Sequence, residues 1–306
     1  MTETGLSSPI VAAVDVRPRR LGLVQAATSL VAVGSIVWWA TRQHAPHVPL
    51  DARSLARLAG ALALYAVATA LRAERWHQIL RRGALDRGRG ASYGLTLVGY
   101  MGNNTLPARA GDLMRAVLLG GPRRGVLGTV VAERVLDACA LMAIFGVVVL
   151  DRGLDFGPLP YLVAAGVLVL AAAALVWRLA PRVREWTRPL VGSTRELVSP
   201  YGAALFALSL VLWTVEALVY AAVGAAVGVH LGVTGGLYVM ALTNLSALIP
   251  AAPGYVGTYD AAVLLALRSL QLPALGYLLV LRFVLFVPIT VAGFAVFLAR
   301  YARRGR

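Results

Sequence analysis

Charged side chains inside long apolar stretches are the first residues in this sequence that call for chemistry. Glu133-Arg134-Val-Leu-Asp137 lies within the apolar run Gly125–Leu150. Glu133 and Asp137 are four residues apart and share a helix face, with Arg134 one residue round. Glu216 sits within Tyr201–Val227 and Arg282 within Pro273–Ala299, each with long apolar flanks. Ionisable groups in hydrocarbon cost several kcal/mol unless they are paired or wet. The expected partners are Glu133 or Asp137 with Arg282, and Glu216 with Arg109 or Arg115. Such charges do one of three things. They fix helix register as a buried ion-pair network, they line a polar path for a headgroup, or the carboxylates exchange protons with an arginine site and couple transport to a proton gradient.

A second set of residues marks two interrupted apolar segments of similar design. The first, Ala91–Leu119, contains Asn103, Asn104, Pro107, Arg109, Gly111, Asp112 and Arg115. The second, Gly236–Leu270, contains Asn244, Pro250, Pro253, Gly254, Gly257, Thr258, Tyr259 and Asp260. Each has Asn, then Leu-Pro or Ile-Pro, a Gly four residues past that Pro, and an Asp where a new helix begins. Thr105 or Asn104 is the expected cap of the first new helix, with Pro107 in its first turn, and Thr258 the cap of the second. Two half-helix N-termini meeting near the midplane make an anion site from free amides and positive dipole ends, and Arg109 adds a fork suited to phosphate. The plainer reading is that Pro and Gly let the chain turn while Asp112 and Asp260 complement the dipoles. Paired breaks in two halves of an apolar chain point to a transporter's substrate site.

The elements that carry these residues are membrane helices. Of 306 residues 59% are hydrophobic and 14% charged, against ~45–50% and ~25% in soluble domains. Leu21–Ala40 holds no charge, enough to cross ~30 Å of hydrocarbon, and it lacks the small-residue cleavage site of a signal peptide. The net charge of +15 is carried by arginine alone, which GC-rich coding explains more simply than selection for phosphate-binding forks. These arginines cluster between spans, so the charge is read as positive-inside patterning and attraction to anionic lipid, not as nucleic-acid binding.

Counting spans by arginine position gives an architecture. Residues 1–20 form a cytoplasmic tail, 21–300 a single transmembrane domain and 301–306 a basic cytoplasmic end. Span one is Leu21–Ala40 and span two about Leu55–Leu71, with Arg57 and Arg72 snorkelling to the two interfaces. Six arginines from Arg72 to Arg89 mark the cytoplasmic side. The first interrupted segment, flanked on both sides by arginine, enters and leaves there as a re-entrant hairpin. Span three is Gly125–Leu150, span four about Leu159–Trp177, span five about Tyr201–Val227 and span six Pro273–Ala299. The second interrupted segment, free of arginine until Arg268, enters from outside. The expected fold is an all-α polytopic bundle of about six spans plus two re-entrant hairpins, with repeat A (about 55–150) and repeat B (about 201–299) in inverted orientation and both termini cytoplasmic. The rival reading, two full spans per hairpin, needs more than the short stretches Ala91–Leu106 and Leu237–Pro250.

Other motifs are few. The single cysteine, Cys139, excludes disulfides and cysteine metal sites. His44, His47, His77 and His230 assemble no metal site and are expected at loops or interfaces. Trp38, Trp39, Trp76, Trp177 and Trp186 fall near span ends as aromatic-belt anchors. No phosphate loop and no H-E-x-x-H sequence occurs, so an ATP-driven pump is not supported within the chain, and no cofactor is implied.

Asn103-Asn-Thr-Leu-Pro-Ala-Arg-Ala-Gly-Asp-Leu-Met-Arg-Ala116, the Glu133-Arg134…Asp137 span and Pro253-Gly-Tyr-Val-Gly-Thr-Tyr-Asp260 resemble the transmembrane region of lysylphosphatidylglycerol synthases, shared by stand-alone flippase-like membrane proteins. The resemblance covers nearly the whole chain. It implies a lipid-translocating helical bundle with two re-entrant elements and a cavity open to one leaflet. Where family members often carry Glu, this chain has Asp112 and Asp260, which keep the charge. No aminoacyl-transferase domain is present in the sequence, so synthesis of aminoacyl lipid is not implied. The expectation is therefore a non-enzymatic flippase of the cell membrane for a phosphate-bearing lipid, either anionic or polyprenyl-phosphate-linked. A homodimer or a separately encoded lipid-modifying enzyme is compatible as partner. The alternatives are a membrane enzyme or enzyme partner acting on lipid-linked sugar or phosphate, with Glu133 and Asp137 as acid and base, and an ion-coupled solute transporter.

Overall fold

The computed structural model describes residues 51–106, 109–153, 185, 194–247 and 253–300. Among them every regular element is helical. The first half holds α1 (Ala52–Arg82), α2 (Arg89–Thr105), α3 (Ala110–Leu119) and α4 (Arg123–Arg152). The second holds α5 (Pro200–Ala226), α6 (Gly232–Ser246), α7 (Thr258–Ser269) and α8 (Leu275–Arg300), with a 3-10 turn at Pro253–Tyr255 before α7. Each half thus runs long, short, short, long, the two short helices being separate elements.

Local chemistry sets several of these ends. The Asp51 carboxylate accepts from Ser54 N at 3.0 Å to cap α1, and bonds from Ser54 hold this carboxyl below its usual range. Ser199 accepts from Gly202 N at 3.2 Å, and Pro200 takes the first position of α5, where its missing N–H costs nothing. Gly153 ends α4 in the left-handed conformation, φ 58°.

Three helices are long and apolar enough to cross a membrane: α1, α5 and α8. Helix α4 has the length, 30 residues, but its middle carries Glu133, Arg134 and Asp137. The short helices α2 and α6 have 17 and 15 residues, about 22–26 Å at ~1.5 Å per residue.

The second expected span differs from the element that forms. The expected bounds are about Leu55–Leu71 with Arg72 at an interface, but α1 continues to Arg82 and buries Arg72, Arg75, Trp76 and His77. Carboxylates from α4 and α5 receive the two arginines, so neither needs water. Arg57, by contrast, is exposed and donates to Ala225 O at 2.6 Å. Trp76 is no belt anchor: it is fully buried and donates to Thr129 at 3.0 Å. His77 is no loop residue either; its Nδ1 lies 3.3 Å from both Ser92 Oγ and Asp86 Oδ1. The tail 1–20, the spans Leu21–Ala40 and Leu159–Trp177, the end 301–306, His44, His47, Trp38, Trp39, Trp177, Trp186, Pro107 and Pro250 lie outside the described residues.

The halves pack through each other. Helix α1 lies along α5, α8 packs on α2, and α4 packs on α6, while α2 folds back on α3 and α6 on α7. Exchanging the halves exchanges these contacts in kind: first helix on first, last helix on the partner half's second. Small residues allow the closest approaches. A Cβ on Gly102 would meet Gly111 Cα at 2.6 Å, and one on Gly293 would meet Leu97 O at 2.5 Å. The main core takes Tyr65, Phe145, Trp213, Tyr220, Tyr259 and Tyr277 from both halves.

Candidate functional site

Both breaks are closed by an aspartate and an arginine. In the first, α3 starts at Arg109, which holds a left-handed φ of 56° and offers no side-chain cap. Asn104 and Thr105, the expected caps, instead finish α2, where Thr105 Oγ1 donates to Met101 O at 2.9 Å. Asn103 takes the capping role from the preceding helix. Its Oδ1 accepts from Asp112 N at 3.2 Å, and its Nδ2 donates to Asp112 Oδ1 at 3.3 Å. Arg134 then grips Asp112 with three bonds of 2.9–3.2 Å.

The second break repeats the scheme. Gly257, at φ 92°, caps α7, so the expected cap Thr258 is already its first residue and donates to Tyr255 O at 3.4 Å. Asp260 reaches back to accept from Gly257 N at 3.0 Å. Arg282 donates to Asp260 at 2.7 Å, to Gly254 O at 2.6 Å and to Tyr255 O at 3.3 Å, pinning the 3-10 turn. In each half the aspartate precedes its arginine by 22 residues.

This geometry corrects the expectation of free amides at two opposed half-helix N-termini. The positive end of each helix is already met by its own first-turn carboxylate, the nearest counter-charge available, and each carboxylate is neutralised by an arginine from the next long helix. The expected ion pairs change accordingly. Arg282 pairs with Asp260, not with Glu133 or Asp137. Glu133 pairs with Arg115 and lies 3.8 Å from Arg75. Asp137 receives Arg75 at 2.7 Å, Arg134 at 3.2 Å and Trp213 Nε1 at 3.2 Å. Glu216 pairs with Arg72 of α1, not with Arg109 or Arg115. The partners missed in sequence are Arg72 and Arg75, which look like an arginine-rich helix end until α1 is seen to continue past them.

One polar cavity, enclosing about 670 Å³ of empty space with its open solvent included, joins most of these elements. Arg72, Tyr100, Asn104, Arg109, Arg134 and Asp137 line it from the first half. Trp213, Glu216, Tyr220, Asn244, Tyr255, Tyr259 and Phe286 line it from the second. Gly111, Pro253, Gly254 and Gly257 shape the breaks without lining the cavity, and Arg115, Glu133, Asp260 and Arg282 are not among its lining residues.

Charge counting around the cavity leaves a remainder. Six arginines (72, 75, 109, 115, 134 and 282) face five carboxylates (Asp112, Glu133, Asp137, Glu216 and Asp260), and each of the five carboxylates has an arginine within ion-pair distance. Arg109 has no such carboxylate among the described residues. Its guanidinium lies 5.4 Å over the Tyr255 ring, and its buried Nε bonds nothing. A cation held by an aromatic face and without a carboxylate in ion-pair contact is suited to an anion from outside the protein.

Hydrogen bonds tie the far wall together. Tyr220 OH lies 2.8 Å from Tyr259 OH and 3.1 Å from Thr243 Oγ1, and accepts from Asn244 Nδ2 at 3.2 Å. Asn244 also reaches Glu216 Oε1 at 3.5 Å. Sequence reading did not select Tyr65, Tyr100, Trp213, Tyr220 or Tyr255; an aromatic in an apolar helix carries no mark of facing a cavity. Among the described residues no three His, Cys, Asp or Glu side chains gather as a metal site.

Residues 25–293 match the family described as the lysylphosphatidylglycerol synthase TM region. The chain is also 26% identical over 272 residues to glycosyltransferase AglD of Haloferax volcanii, covering 70% of this chain and 43% of that protein. It therefore spans less than half the length of this curated relative. No solved structure matches it.

Proposed function

This chain belongs to the lysylphosphatidylglycerol synthase transmembrane-region family, and on that premise we propose that it is a flippase-type transporter that moves a phosphate-bearing lipid between leaflets. The observation that carries the reading is Arg109, the one cavity-lining arginine without a carboxylate partner among the described residues. The lipid phosphate takes that place, and the hydrocarbon chains stay outside. A second recess of about 900 Å³, lined by Leu62, Ala66, Ala70, Leu97 and Ile289, shares Tyr65 with the cavity and offers apolar surface beside it.

The reciprocal packing of the halves, the equal aspartate-to-arginine spacing and the positive φ at both Arg109 and Gly257 support two repeats about one site. In this reading the short pairs α2–α3 and α6–α7 are re-entrant, entered from opposite faces of a single transmembrane domain in the cell membrane, with both chain ends cytoplasmic. Rocking one repeat against the other gives alternating access.

The expected result in liposomes with fluorescent anionic lipids is dithionite-accessible scrambling by the wild type. Arg109→Ala slows it about tenfold or more, since a hydrogen bond to a charged group contributes ~1.5–3 kcal/mol. Wild-type rates equal to those of empty liposomes across phospholipid and polyprenyl-phosphate probes would end this reading. The likeness to AglD favours a second one, in which the chain serves glycosyl transfer on a lipid carrier. Catalysis by Glu133 and Asp137 suits it poorly, because both are buried and committed to arginines; the partner role suits it better.

A further inference from the structure

We infer that the cavity recognises a hydroxyl-rich headgroup, a sugar or polyol joined to the lipid phosphate, and not the phosphate alone. The inference rests on the phosphate-lipid reading and concerns what surrounds Arg109. Two asparagines line the cavity, one in the last turn of the short helix before each break. Asn104 Nδ2 donates to Thr290 Oγ1 at 2.9 Å and to Phe286 O at 3.5 Å. Asn244 Nδ2 donates to Met240 O at 3.0 Å. A backbone carbonyl only accepts, so these bonds fix which end of each amide is nitrogen. They leave Asn104 Oδ1 and Asn244 Oδ1 as acceptors that receive no bond among the described residues.

The rest of the lining has the same bias. The hydroxyls of Tyr65, Tyr100 and Tyr255 make no hydrogen bond among the described residues. Asp137 and Glu216 keep lone pairs beyond those their arginines use, since an ionised carboxylate offers about four acceptor positions. Against these acceptors stand Arg109, the one lining arginine without a carboxylate in ion-pair contact, and the three tyrosine O–H donors. A bare phosphate carries acceptors for Arg109 and the tyrosine O–H groups but leaves the free amide and carboxylate oxygens without a donor. An ammonium head finds those carboxylates already neutralised by Arg72, Arg75 and Arg134. A head with several hydroxyls donates to the amide and carboxylate oxygens while its phosphate takes Arg109.

The test is equilibrium binding in nanodiscs with four probes. Polyprenyl phosphate is compared with the same lipid carrying one hexose, and phosphatidic acid with phosphatidylinositol. The wild type should bind at least one hydroxylated member about tenfold tighter than its plain partner, as two extra hydrogen bonds predict. Which pair shows the preference distinguishes a glycosylated carrier from a polyol phospholipid. Asn104→Leu and Asn244→Leu should each cut the preference several-fold. Tyr100→Phe, which removes one oxygen and keeps the ring, should reduce it without affecting folding. Equal wild-type affinity within both pairs, or a preference untouched by all three variants, overturns the inference and leaves the phosphate reading standing. Wild-type binding of none of the four lipids, or binding indifferent to Arg109→Ala, removes the phosphate reading itself.

Discussion

At the residue scale, the unusual property of this protein is how many ionised groups it buries and how completely it pairs them. Arg72 and Glu216 are each 4% exposed and sit against Trp213, whose ring lies 4.7 Å from the Arg72 guanidinium carbon. Neither charge is tolerable alone, because the survivor of a broken buried pair stays desolvated. Glu216→Leu should therefore cost about 3–5 kcal/mol, while Arg72→Met with Glu216→Leu should recover most of that loss. Chemical denaturation in detergent micelles measures both. A double variant as unstable as the single would mean that the pair's worth lies in contacts other than its charge. Arg109 stands apart from this logic: its Arg109→Ala variant should lose ligand and keep stability, since no carboxylate is left behind.

At the element scale, the two broken helix pairs depend on close backbone approach. A Cβ on Gly111 would run into Gly99 O and Asn103 N, at the place where Asn103 caps α3 and aligns Asp112 for Arg134. Gly111→Ala should thus destabilise by about 1–3 kcal/mol through overpacking and should weaken ligand binding by turning Asp112. Gly60 and Gly146, in the interiors of α1 and α4, meet nothing within 4 Å. Alanine at either should be neutral or stabilising by up to about 1 kcal/mol from helix propensity. Thermal unfolding of the three variants side by side checks the contrast, and equal effects at all three sites would remove the crossing from the account.

At the scale of the whole molecule, the proposal of inverted repeats makes a statement about sides. In a Cys139→Ser background, Arg87→Cys in the α1–α2 turn and His230→Cys before α6 are both exposed positions. An impermeant maleimide added to intact cells should label His230→Cys and reach Arg87→Cys only after permeabilisation. Labelling of both from one side contradicts opposite entry of the two breaks. The membrane character of the chain, the two breaks and the aspartates at their helix starts were legible in the sequence. Apolar runs, Pro, Gly and first-turn acids act on neighbours within a few residues, and local order preserves such signals. Which charge meets which was not legible. Arg75 reaches Asp137 from 62 residues away and Arg72 reaches Glu216 from another half of the chain, because α1 runs on past its apolar core and lies along α5. Pairing in low dielectric depends on distance in space, and only the packed bundle sets it. Tertiary structure alone therefore decided that Arg134 and Arg282 neutralise Asp112 and Asp260 and that Arg109 is the cation left over for a ligand.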